Sequence, residues 1–358
     1  MDFARQLISW YLKNKRDFPW RNTNDPYKIW LSEIILQQTR TGQGHDYYLK
    51  FIRLFPDLHS LSKATEEQVL KLWQGLGYYS RARNLLAASK EIVSKHNGRF
   101  PSTYHELLQL KGIGPYTAAA VASIAFGEPV PVIDGNVMRV ISRWFAIREP
   151  VDKTEGKKMI KQSLEDIFDK NNPAVFNQAI MDFGAIVCKP KNPACFSCVF
   201  NQNCQSLNLK IVNQIPVKSK ISNQRKRYFN YLVILFEKNQ QKMILLQKRK
   251  PGDIWSGLYD FPLIESFGEL NAEQLTSTTQ WKIYFDGLDP VIAETSPIYN
   301  HQLTHQLLLV RFYLIKLNQA FSTSFLFQEI TLPDIPKYPV PRLIEKYLKE
   351  HNYLEHFS

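Results

Sequence analysis

An all-α front part, a cysteine loop, a basic linker and a smaller α+β domain are predicted for this multidomain chain from three observations. Its 358 residues exceed what one compact core usually serves, since domains typically run ~100–200 residues. The apolar period shifts from three-to-four residues in the first half to a strand-like pattern after about residue 229. All four cysteines fall between Cys188 and Cys204. The expected parts are 1–187 (helical, in two subdomains), 188–213 (cysteine loop), 214–228 (linker) and 229–358 (α+β).

The front part reads as helices. Glu66–Leu76, Arg81–His96 and Lys157–Phe168 carry apolar residues at three- and four-residue spacing. Phe55-Pro56, Asn97-Gly98, Phe100-Pro101, Gly112, Gly114 and Gly127 punctuate them as turns. Gln214 to Arg227 is polar and basic, holds Pro216, and reads as the linker. Beyond it Tyr231–Phe236, Met243–Gln247 and Leu307–Leu314 are rich in β-branched, aromatic and leucine residues and read as strands. Pro341–His351 reads as a closing helix.

A hydrophobic fraction of 44% and a charged fraction of 22% exclude a disordered, collagen-like or disulfide-scaffold protein. No apolar run reaches the ~18 residues of a membrane span, and no signal or transit segment is evident. A reducing, cytoplasmic setting without a membrane partner is expected. The net charge of +12 is uneven. Residues 1–213 hold 28 basic and 19 acidic side chains, residues 214–228 five and none, and residues 229–358 12 and 14. A basic front and linker point to a polyanion partner, although a solvated surface also carries such charge.

The cysteine spacing is Cys188-x6-Cys195-x2-Cys198-x5-Cys204. Disulfides are disfavoured in a reducing compartment. Zinc suits four thiolates, but its ribbons usually present two separated Cys-x2-Cys knuckles, and only one such pair occurs here. Four ligands in one wrapping loop suit a [4Fe-4S] cube. Lys189 and Lys191 in that loop are candidates for phosphate contact.

Leu110-Lys111-Gly112-Ile113-Gly114-Pro115-Tyr116-Thr117-Ala118 joins two helical stretches. Gly112 and Gly114 permit a tight turn with exposed N–H groups, and the positive end of the following helix starts there. Such a hairpin grips a phosphate without reading sequence, though an ordinary inter-helix turn looks similar.

Two carboxylates stand out. Asp134, in Val132-Ile133-Asp134-Gly135-Asn136, precedes a helical stretch at Val137–Phe145 and suits an N-cap, a role compatible with an ionised functional group. Glu33 has Ile29, Trp30, Leu36 and Gln37 three and four residues away, three of the four apolar. Desolvation there would favour a protonated acid near neutral pH. An acid plus an anion is what N-glycosidic cleavage needs, since the leaving base must be protonated and an oxocarbenium-like sugar stabilised.

The cysteine spacing and the Leu110–Ala118 string resemble the endonuclease III superfamily of helix-hairpin-helix DNA glycosylases. Asp134, twenty residues after Gly114, falls where that superfamily carries its essential aspartate. Trp30-Leu31-Ser32-Glu33-Ile34-Ile35-Leu36-Gln37-Gln38-Thr39, Phe18-Pro19-Trp20-Arg21 and Gly75-Leu76-Gly77-Tyr78-Tyr79-Ser80-Arg81-Ala82-Arg83-Asn84 resemble the adenine DNA glycosylases, the MutY type. The resemblance covers essentially the whole front part and, less closely, the rest. It implies an all-α helix-hairpin-helix glycosylase domain with an iron–sulfur cluster loop, followed by an α+β Nudix-like domain. It implies a monomeric, nucleoid-associated repair enzyme that removes adenine mispaired with 8-oxoguanine or guanine from double-stranded DNA, leaving an abasic site.

By the same resemblance Glu33 is the general acid, and Asp134 stabilises or transiently traps the sugar cation. Asn136 orients Asp134, and Tyr116 supports the site. Gly112 and Gly114 hold DNA phosphate; Gln38, Thr39, Leu76 and Tyr78 surround the oxidised base. Cys188, Cys195, Cys198 and Cys204 hold the [4Fe-4S] cluster. Tyr116 and Met138 occupy positions where some relatives carry lysine, so Schiff-base chemistry has no obvious donor. Ile254–Pro262 resembles the family's Nudix-like domain, but Leu263–Leu275 lacks the Arg-Glu-x2-Glu-Glu box of a working Nudix hydrolase. Thr304 and His305 fall in the loop that reads the oxidised base, with Leu303 where the family has Phe. Two rivals stand beside this reading. One is a bifunctional pyrimidine glycosylase/lyase, opposed by Tyr116. The other is a non-catalytic DNA-binding iron–sulfur protein, opposed by Glu33 and Asp134.

Overall fold

The computed structural model describes residues 3–219, 224–317 and 327–352. Two compact units emerge: residues 1–64 with 84–221, and residues 65–83 with 222–358. Among the described residues no helix is long and apolar enough to cross a membrane.

The helices of the first half are α1 (Phe3–Asn14), α2 (Pro26–Leu36), α3 (Thr41–Leu54), α4 (Leu58–Ser62), α5 (Glu66–Trp73), α6 (Ser80–Lys95), α7 (Tyr104–Leu107), α8 (Pro115–Phe126), α9 (Gly135–Trp144), α10 (Thr154–Glu165), α11 (Pro173–Ile186) and α12 (Gln205–Asn208). Their starts follow from local chemistry. Asp25 caps α2 by accepting from Tyr27 N at 2.9 Å, with Pro26 in its first turn. Pro115 opens α8, and Gly127, at φ +72°, closes it.

The first unit has a core where α1, α8, α9, α10 and α11 meet, built from Leu7, Ala120, Val137, Ile141, Ile160 and Phe176. Two buried details place the site on it. Gly184 lets α11 approach α9, because a Cβ there would lie 2.7 Å from the Asn136 Cβ. The Asn177 amide donates to Ser123 Oγ and Val130 O and accepts from Val132 N, fixing the segment that delivers Asp134. Arg143 donates to the carbonyls of Lys189, Pro190, Val212 and Ile215, which ties the cysteine loop to α9.

The second unit is built on a mixed sheet of β1 (Arg225–Lys238), β2 (Gln241–Lys248), β3 (Tyr259–Asp260), β4 (Leu263–Ser266), β5 (Val291–Thr295), β6 (Tyr299–Gln302), β7 (Gln306–Lys316) and β8 (Gln328–Thr331). Its main path runs β3-β2-β1-β7-β5, with β1 and β7 parallel from Arg225↔Gln306 to Leu235↔Lys316. Both faces of β1 are buried. Phe229, Tyr231 and Val233 pack under α15 (Arg342–Glu350), while Leu232, Ile234 and Phe236 pack with residues of α13 (Ala272–Thr276) and α14 (Thr279–Tyr284). The near-continuous apolar run of β1 is therefore the signature of a strand covered on both sides.

Two differences from the sequence reading have physical causes. The basic stretch expected to be linker up to residue 228 is strand from Arg225. Arg227 is only 8% exposed because Asp253 and Glu265 each pair with its guanidinium at 2.7 Å, so this charge belongs to the sheet. Residues 220–223 of the linker lie outside the described residues. The second difference is that 65–83, which holds α5 and the start of α6, groups with the second unit. Glu67 accepts from Lys248 and Tyr259, Lys71 donates to Tyr338 O, and Arg83 donates to Ser256 O.

Candidate active site

In the first unit a cavity of about 210 Å³ is lined by Glu33, Tyr116, Asp134 and Asn136 together with Arg16 and Arg21. Three elements deliver the first four. Glu33 sits on α2, between buried Ser32 and Ile34, and is 8% exposed. Tyr116 lies in the first turn of α8, and its hydroxyl donates to Glu33 Oε2 at 2.5 Å. Asp134 is the N-cap of α9, as its sequence context suggested. Its Oδ1 accepts from Val137 N and its Oδ2 from Asn136 Nδ2, both at 2.7 Å. Capping uses Oδ1, and the residue also lines the cavity.

Burial acts on both acids. Burial pushes Glu33 up to about 7, against the opposing pull of the Tyr116 hydrogen bond and the Arg21 charge. Burial also raises Asp134, but hydrogen bonds from Val137 and Asn136 hold it back. Arg139 supports Asp134. Its Nη2 donates to Asn136 Oδ1 at 2.8 Å, and its Nε to Cys188 O at 2.7 Å.

Sequence reasoning did not single out Arg16 or Asp182, and it quoted Arg21 only as part of a motif. Asp182 is fully buried on α11 and paired with both arginines. The available signal was a lone acid inside the apolar run Phe176–Ile186.

The remaining candidates take separate places. Gln38 follows α2 in the left-handed region, at φ +56°, and is exposed; Thr39 lines the cavity. Gly112 adopts φ +79°, whereas Gly114 is extended and caps α8 with open space around it. The four cysteines line one pocket walled by Phe3, Trp144, Phe183 and Phe200. Arg143 Nη1 and Phe200 N lie 3.4 Å from the sulfurs of Cys188 and Cys198. Four sulfurs, an apolar wall and N–H donors to sulfur fit an iron–sulfur cluster. Among the described residues there is no group of three or more His, Cys, Asp or Glu side chains suited to one metal ion.

In the second unit, Tyr78 and Thr304 line a cavity of about 460 Å³ with Arg83, Trp255 and His305. The Tyr78 and Thr304 hydroxyls are 2.8 Å apart. Tyr78 is 51% exposed and held at φ +47°, a conformation uncommon outside glycine that clusters at functional sites. Leu76, expected beside the oxidised base, is buried at 8% exposure, which leaves Tyr78 as the accessible one of the pair. Glu265, the first acid after the Ile254–Pro262 string, is committed to Arg227.

Comparison with known proteins gives the family of each half. Residues 31–170 match the HhH-GPD superfamily of base excision DNA repair proteins, and residues 231–350 match the NUDIX domain. The chain is 38% identical to the adenine DNA glycosylase of Buchnera aphidicola subsp. Baizongia pistaciae over 264 residues, 73% of each chain. It is 31% identical to that of Buchnera aphidicola subsp. Acyrthosiphon pisum over 316 residues, covering 88% of this chain and 87% of the relative. Among solved structures it resembles a thermostable thymine-DNA glycosylase, at 30% identity and a TM-score of 0.54, over 58% of this chain and 95% of that one. It shares its fold with a trapped endonuclease III–DNA covalent intermediate, at 22% identity and a TM-score of 0.51, with the same coverage. With a half that matches the HhH-GPD superfamily, a half that matches the NUDIX domain, and relatives matched over most of their length, the chain belongs to the adenine DNA glycosylase family.

Proposed function

We propose that the protein is a monofunctional DNA glycosylase of base excision repair that removes adenine opposite 8-oxoguanine or guanine. The observation that carries this reading is Glu33, buried and held near pH 7, sharing one small cavity with Asp134. Adenine leaves poorly until a ring nitrogen is protonated, and Glu33 supplies that proton. The bond from the sugar to adenine then breaks, its electron pair leaving with the base. Asp134 faces the positive charge left on the sugar. Water adds to the sugar carbon and returns a proton to the Glu33 carboxylate. Tyr116 orients Glu33, and Asn136 orients Asp134. Tyr116 and Met138 offer no amine, so the product is an intact strand holding an abasic site.

The Gly112–Gly114 hairpin grips a DNA phosphate. Gln38 and Thr39 are proposed DNA contacts of the first unit; Tyr78, Thr304 and His305, which line one cavity of the second, are the proposed readers of the oxidised base. Cys188, Cys195, Cys198 and Cys204 would hold a [4Fe-4S] cluster, whose part is to staple the loop carrying exposed Lys189 and Lys191. The enzyme acts as a cytoplasmic, nucleoid-associated monomer. The test is incubation with a duplex carrying one adenine opposite 8-oxoguanine, followed by alkali and strand sizing. Cleavage at the adenine only after alkali supports the reading; no cleavage opposes it.

A further inference from the structure

Asp182 has no part in the chemistry above, yet it is the most heavily bonded carboxylate of the first unit. It is fully buried on α11, next to Met181, whose sulfur lies 3.5 Å from the Tyr116 hydroxyl. Arg16 reaches it from N, Nε and Nη2. Arg21 meets it with both terminal nitrogens, one to each oxygen. A guanidinium engaged through its fork is fixed in orientation and largely neutralised. Arg21 also lines the cavity that holds Glu33. Besides Asp182 its guanidinium donates, among the described residues, only to the neutral Tyr11 hydroxyl, at 3.5 Å, and the other carboxyl group that acts on it is Glu33.

We propose that Asp182 is a positioning residue that keeps Arg21 away from Glu33. Its carboxylate occupies the fork of Arg21, so the acid is not drawn into a salt bridge that would strip its proton. The inference rests on the assignment of Glu33 as proton donor. The charged and titratable groups acting on Glu33 are Tyr116, Arg21 and Asp134. Those facing Asp182 are Arg21, Arg16 and the Tyr11 hydroxyl, and the two arginines overcome its burial and hold it below the ordinary carboxylate range. The sign follows. Removing the Asp182 charge leaves more positive potential at Glu33, favours its anion, and moves its proton loss to lower pH.

The test is the pH dependence of single-turnover adenine release by the full chain, comparing wild type with Asp182→Asn, Asp182→Glu and the double variant Asp182→Asn/Arg21→Gln. In wild type the rate should fall as pH rises through about 7. In Asp182→Asn this limb should move down by about one pH unit, a loss of about tenfold at pH 8 with much less at pH 5.5. Asp182→Glu, which keeps the charge, should hold the limb near its wild-type position. The double variant removes both charges together and guards against misfolding of the single one. Its limb should lie at or above the wild-type pH. An Asp182→Asn enzyme slowed equally at every pH, or a double variant with its limb below wild type, overturns the inference alone. A wild-type profile with no limb overturns the assignment of Glu33, and this inference with it.

Discussion

A carboxyl group buried without a full counter-ion is unstable as an anion, and Glu33 is such a group. Its proton is held to about pH 7 in the folded chain, against an ordinary value of 4.5. A folded state that binds the proton more tightly loses stability as pH rises from about 4.5 to 7, and the loss then stays constant. Glu33→Gln keeps the shape and removes that loss. At pH 8 it should stabilise the first unit by about 2–3 kcal/mol, and at pH 4 by almost nothing. Urea unfolding of both proteins at the two pH values measures the difference. The same variant should lose about 10²–10⁴ in adenine release, the usual worth of general acid catalysis. A more stable but inactive enzyme is the pattern expected where a buried charge serves function.

Among the elements, the hairpin before α8 separates two glycines that look equivalent in sequence. Gly112 lies at φ +79°, with Asn84 Cβ 2.4 Å from where its own Cβ would be; Gly114 is extended and meets nothing. Gly112→Ala should therefore destabilise the chain by about 1–3 kcal/mol and weaken DNA binding, while Gly114→Ala should do neither strongly. Thermal unfolding and binding to an undamaged duplex test this, and equal effects would count against the assigned backbone. The cysteine loop gives a second test. Protein purified without air should contain about four iron and four sulfide per chain. Cys198→Ser should lower stability and DNA affinity more than the chemical step, whereas one equivalent of zinc without iron would contradict the cluster.

The elements also show what was legible in the sequence. The helices before the cysteines and strands β1, β2 and β7 were, because apolar period is a local property of the chain. The burial of Glu33 and the N-cap of Asp134 were readable for the same reason, one lying in an apolar helix and the other before a helix start. Arg227 misled, since a basic residue in a polar run reads as solvated until the opposing carboxylates of Asp253 and Glu265 are known. The pairing of Asp182 with Arg16 and Arg21 crosses more than 160 residues, and no periodicity encodes it.

For the whole molecule, the same limit explains why residues 65–83 were assigned to the front half. Periodicity shows that α5 has an apolar face but not which unit the helix joins, and residues 65–83 group with the second. A chain cut in the linker would lose the partners of Glu67, Lys71 and Arg83, so point variants test the second unit more cleanly. Thr304→Ala removes the hydroxyl 2.8 Å from Tyr78. It should lower the preference for adenine opposite 8-oxoguanine over adenine opposite guanine by about fivefold, the worth of one hydrogen bond of ~1 kcal/mol. An unchanged ratio of single-turnover rates would assign this loop another task.

The most direct measurement of the whole reading is single-turnover release of adenine from a duplex with one adenine opposite 8-oxoguanine, using wild type and Glu33→Gln side by side. Wild type should release the base and leave a strand that breaks only in alkali, and borohydride should trap no protein–DNA adduct. Glu33→Gln should bind the same duplex and release almost nothing. A Glu33→Gln enzyme within a few-fold of wild type, or efficient trapping by borohydride, would contradict it.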